Sequence, residues 1–116
     1  MEYTLDIEQS ADYEQEFNVR EADTTLTTLA TLYTQVKAIF RSNYDGAALI
    51  TLDTADNSLL ISNAAPNLKF VFTGMATEAL SETKGVFDVL GKKANGKFEV
   101  IFRGKWSLTK SVTRRY

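Results

Sequence analysis

Along most of this chain apolar and polar residues alternate with a period of two, the pattern of strands that turn one face to a core. The clearest stretch lies in the last third. Two alternating runs, residues 85–90 and 97–108, flank Lys92-Lys-Ala-Asn-Gly96, and Asn-Gly between such runs predicts a β-hairpin. Phe98, Val100, Phe102, Trp106 and Leu108 alternate along its second strand, with Phe87 and Val89 on one face of its first, so this hairpin is expected to supply most of the core. Gly104 interrupts the series and predicts a bend. Upstream, Tyr3, Leu5 and Ile7 predict one strand and Tyr13, Gln15, Phe17 and Val19 another, joined as a hairpin or by a crossing between sheets. Val36, Ala38 and Phe40 alternate with Gln35, Lys37, Ile39 and Arg41 in a long strand that stops at the turn-rich residues 42–46. Residues 47–52, residues 59–62 and the series Leu68, Phe70, Phe72 follow with the spacing of a meander.

Helix signals are sparse. Leu26, Leu29 and Leu32 recur three apart, but five threonines within residues 21–32 disfavour a long helix and predict a loop with at most one turn. Residues 73–80 are the one candidate short helix. Short strands with turns every 8 to 12 residues or so predict an all-β antiparallel sandwich or barrel with at most one short helix.

At 116 residues the chain is long enough to bury one core and too short for two, so residues 1–116 are read as a single domain with a short basic C-terminal tail, residues 110–116. Apolar residues at 44% and charged residues at 24% are the proportions of a chain that folds. There is no cysteine and no histidine. Disulfides, cysteine metal sites, histidine bases and Ser-His or Cys-His nucleophile pairs are thereby excluded. No run approaches the ~18 apolar residues of a membrane helix, and residues 1–7 lack a basic segment followed by an apolar one. The expectation is an unprocessed soluble protein made in the cytoplasm, with no membrane partner.

The net charge of −2 conceals a polarised chain. Residues 1–23 carry eight acids against Arg20 alone, whereas residues 84–116 carry nine bases against Asp88 and Glu99. Either the first and last strands lie side by side, each surface pair contributing about 0–1 kcal/mol, or acidic and basic faces of different subunits meet in an assembly. Nucleic acid is not expected, because the bases are spread along strands and tail without an aromatic-rich groove.

Candidate chemistry is thin. Asp53, Asp56 and Asn57 cluster, but without the alternating ligands and central glycine of a calcium loop they are read as a turn, and no metal is predicted. Asp12, Glu14 and Glu16 share the strand face opposite Phe17 and Val19, which is a solvated face rather than a carboxylate pair for glycoside hydrolysis. Trp106 is read as core. Tyr44, beside Asp45-Gly46, is a candidate contact for a sugar or a protein. The six glycines are scattered at turns and strand ends, with no phosphate-binding loop.

Gln9-Ser-Ala11, Phe17, residues 36–41, Gly85-Val-Phe-Asp-Val89, Gly104-Lys-Trp-Ser-Leu108 and Val112-Thr-Arg114 together resemble a group of short tailed-phage virion proteins related to the N-terminal domain of the baseplate upper protein family. Ser10 stands where that pattern usually has glycine and Phe87 where it has tyrosine. The resemblance spans nearly the whole chain. It implies an antiparallel immunoglobulin-like β-sandwich and a non-enzymatic structural role in the virion, in the tail, baseplate or fibre-attachment region or as a capsid decoration protein. Other virion structural proteins are the implied partners, in a homo- or hetero-oligomeric assembly, with no catalytic residues and no cofactor. The candidate assembly contacts are Glu14, Glu16, Tyr44, Lys105, Lys110, Arg114, Arg115 and Tyr116. The alternative is a free-standing adhesion or carbohydrate-binding module whose contacts centre on Asn43 and Tyr44.

Overall fold

The computed structural model describes residues 2–8, 12–20, 25–43, 45–74, 77 and 84–109. Two sheets pack face to face. The larger contains β1 (Glu2–Glu8), β3 (Gln35–Arg41), β4 (Ala48–Asp53), β7 (Lys84–Lys92) and β8 (Phe98–Thr109), in the order β1-β8-β7-β3-β4. The smaller contains β2 (Tyr13–Phe17), β5 (Leu59–Ile61) and β6 (Leu68–Phe72), in the order β2-β6-β5. Among the described residues every strand pairing is antiparallel except that of β1 with β8, which is parallel over seven register pairs from Glu2↔Arg103 to Glu8↔Thr109. In immunoglobulin lettering β2, β6 and β5 are B, E and D, facing C (β3), C′ (β4), F (β7) and G (β8). The fold is an immunoglobulin-like β-sandwich.

The expected meander holds between β5 and β6, which pair antiparallel, and is corrected before them. Strands β4 and β5, adjacent in sequence, lie in different sheets, as do β1 and β2 and also β6 and β7, so the chain crosses the sandwich repeatedly. A one-turn helix, α1 (Leu29–Leu32), buries Leu29 completely, as the leucine spacing of the threonine-rich loop suggested. The helix expected over residues 73–80 lies mostly outside the described residues; Gly74 and Thr77, which are described, are helical and buried.

Inward residues of both sheets form one aromatic core. Phe70 on β6 meets Phe17 at 4.8 Å between ring centroids, Phe40 at 5.8 Å and Phe87 at 6.0 Å, and Phe40 stacks on Phe87 at 5.1 Å. Phe17 on B and Phe87 on F both rest on Phe70, so rings bridge the sheets where antibody domains place a B–F disulfide. Trp106 is buried, and its Nε1 donates to the Arg41 carbonyl oxygen at 3.0 Å. Gly85 makes room for it: a Cβ there would lie 2.1 Å from the Arg41 oxygen and 2.6 Å from Trp106 Nε1. Gly91 does the same for Tyr33, whose Cδ1 would sit 2.4 Å from an added Cβ.

Two expectations for the last strand fail together. Phe98 and Val100 are 44% exposed, not core, and the ladder runs through Gly104 in regular register opposite Phe87. The irregularity lies earlier, where Val89 pairs with Phe102 but Leu90 pairs with Val100. Ile101 is the extra residue of a β-bulge, and one inserted residue flips every side chain before it to the other face. Phe102, Trp106 and Leu108 point inward as expected; Phe98 and Val100 point out.

Candidate assembly surface

With its apolar rings inward, the sandwich presents its remaining chemistry on the two outer sheet faces, which alternation places on opposite sides of the molecule. On the larger sheet the outward positions of β3, β7 and β8 carry Lys37, Arg41, Lys84, Lys92, Arg103 and Lys105 against a single acid, Asp88. Asp88 serves two of these cations, with Arg103 Nε 3.1 Å from its Oδ1 and Arg41 Nη1 3.9 Å from its Oδ2. Lys37 and Lys92 bracket Phe98, their ammonium groups 4.7 and 5.9 Å from the ring centroid, and among the described residues neither has a carboxylate within ion-pair distance. Cations over a half-exposed ring gain from its quadrupole while remaining open to another partner. Val100, opposite Leu90, extends the apolar part of this face. Asp53 and Asp6 lie on the bordering strands β4 and β1, where Asp53 accepts from Gln35 Nε2 and Asp6 from the Ser107 hydroxyl.

The smaller sheet is the reverse. Glu14 and Glu16 are exposed on β2, and Lys69 lies between them at 3.8 and 3.6 Å, one cation for two carboxylates. Val71 and Leu60, the latter 42% exposed, are the apolar positions beside them. At the rim a groove of about 410 Å³ is lined by Asp12, Tyr13, Glu14, Val71, Phe72 and Thr73. Asp12 Oδ1 accepts the Gly74 N–H there at 2.8 Å, and burial, reinforced by the charge of Asp6, pushes the Tyr13 hydroxyl above its ordinary pKa.

The end of the final hairpin is tied by a separate cluster. The Tyr33 hydroxyl donates to Glu99 Oε1 at 2.5 Å and Lys93 Nζ lies 3.0 Å from Oε2, which hold the Glu99 carboxyl below the usual range. The turn closes through Lys93 N–H to the Lys97 carbonyl at 2.8 Å, and Gly96 takes the positive φ of 85° that its position requires. Asp53 and Asp56 likewise spend their oxygens on a turn, Asp53 accepting from the Ala55 N–H and Asp56 from the Ser58 N–H.

Of the candidate contacts, Glu14 and Glu16 fall on the smaller sheet's outer face and Lys105 on the larger sheet's, so the structure places them on opposite sides. Tyr44, Lys110, Arg114, Arg115 and Tyr116 lie outside the described residues. Lys37, Lys92 and Phe98 were not anticipated. Without the bulge, alternation points Phe98 inward, and a lysine that alternates with core residues carries no sign of what lies across the ladder.

No protein-family model matches this chain, and no curated protein matches it.

Proposed function

We propose that this protein is a non-enzymatic structural component of a tailed-phage virion, working as an assembly module of the tail, baseplate or fibre-attachment region or of the capsid surface. The observation that carries the reading is where the resembling segments fall. Residues 36–41 lie in β3, residues 85–89 in β7 and residues 104–108 in β8, neighbours in the larger sheet. They meet at one point, where Gly85 lets Trp106 reach the Arg41 carbonyl. A likeness that converges on one packing contact is more informative than the same number of scattered matches. The surface suits the role as well, since it offers broad charged faces for protein contacts.

The test is mass spectrometry of purified particles of a phage that encodes the chain, with light scattering on the isolated protein. Stoichiometric presence in particles is expected, at a copy number in multiples of three or six for a tail position or in the hundreds for the capsid shell. A protein absent from particles overturns the reading and directs attention to glycan and protein binding around Tyr44.

A further inference from the structure

The two outer faces differ in charge, and each carries exposed apolar side chains. Six cations and one acid lie on β3, β7 and β8, with Asp53 and Asp6 on the bordering strands, and Lys37 and Lys92 bracket Phe98 at one end, while two carboxylates share one lysine on the smaller sheet beside Leu60 and Val71. Faces that combine exposed apolar side chains with charges of opposite balance are suited to protein contacts. A symmetric pairing of two basic faces would set Lys37 and Lys92 against their own copies, and like charges so placed are repelled. The complementary surface is on the molecule's other side.

We propose that copies of this chain stack front to back, the Lys37–Phe98–Lys92 face of one sandwich seated on the Glu14–Glu16–Leu60 face of the next. Such a contact uses two different patches of the same chain, so it cannot close on itself in a pair; it continues as a ring or an open filament. The proposal rests on the assembly reading and specifies which surfaces carry it.

Sedimentation velocity over a concentration series tests it, with two charge-reversed variants, K37E/K92E and E14K/E16K. All four positions are on outer faces, and a thermal melt of each variant confirms that it folds. Wild type is expected to associate beyond a dimer, weakening at least about tenfold in about 1 M salt, where charge attraction is screened within ~3 Å. Each variant alone now sets like charges against each other at the proposed contact and is expected to remain monomeric. An equimolar mixture of the two restores opposite faces and is expected to associate again. A basic-face dimer would instead leave E14K/E16K associating as wild type does, and that result overturns the proposal. So does wild type that stays monomeric at every concentration, or a mixture that stays monomeric. The two readings fail separately: a wild-type protein found in particles, with K37E/K92E incorporated equally well, overturns the stacking and leaves the virion role standing, whereas a protein that stacks but is absent from particles overturns the virion role alone.

Discussion

Asn67 is fully buried and joins two loops to the start of β6. Its Oδ1 accepts the Val19 N–H at 2.8 Å, and its Nδ2 donates to the carbonyls of Val19 and Thr27, each at 2.8 Å. The two carbonyls have second donors, Val19 receiving the Thr27 N–H at 2.9 Å and Thr27 the Leu29 N–H at 3.0 Å. Asn67→Ala therefore leaves one buried donor, the Val19 N–H, without its partner, at a cost of about 1–3 kcal/mol, and removes two further bonds whose acceptors stay satisfied. The sum is about 2–4 kcal/mol, a large share of the ~5–15 kcal/mol holding a domain of this size. At roughly 4 °C per kcal/mol the melting temperature should fall by about 8–16 °C. Asn67→Asp sharpens the test, because it keeps the acceptor and sets a carboxylate oxygen against both carbonyls. Burial and those carbonyls raise its folded pKa above the unfolded ~3.9, so its stability should decline as pH rises from about 4 towards that folded value and recover on acidification. Thermal melts of both variants across pH measure this. If Asn67→Ala melts within about 2 °C of wild type, the polar bridge contributes nothing and the reasoning is wrong.

Gly85→Ala should cost about 1–3 kcal/mol by forcing Trp106 off the Arg41 carbonyl; the chain has one tryptophan, so its emission should shift to the red along with the lower melting temperature. Phe102→Ala should cost about 3–5 kcal/mol, whereas Phe98→Ser should change stability by under about 1 kcal/mol, and equal losses in urea unfolding would refute the bulge at Ile101. Glu99, held below the usual carboxylate range by the Tyr33 hydroxyl and Lys93, contributes stability above the ordinary glutamate pKa and loses it as pH falls through its lowered value; the melting-temperature gap between wild type and Glu99→Gln should therefore narrow on acidification, and a constant gap would contradict the tie.

The strands were legible wherever alternation ran unbroken. Val36, Ala38 and Phe40, like Leu68, Phe70 and Phe72, point inward in the order the pattern implies. The final strand was half legible, because a one-residue insertion leaves alternation intact on either side and shows only as a change of partner across the ladder. Asn67 stood among turn residues after Pro66, and no local feature separates an asparagine that makes a turn from one that bridges two distant loops. The site was legible as charge and not as place. The acidic first part of the chain divides between sheets, β1 beside basic β8 and β2 on the far side with Lys69, a division set by a chain crossing rather than by any residue in it.

The parallel pairing of β1 with β8 has a mechanical consequence. Pulling on the chain before Glu2 and after Thr109 draws the two strands past each other along their length, because both run the same way and the load enters at opposite ends. Seven register pairs then bear the force together, as a lap joint does, whereas two strands peeled from a shared open end give way one bond at a time. A sandwich tethered through β1 and β8 would resist tension at this seam before the aromatic core is disturbed.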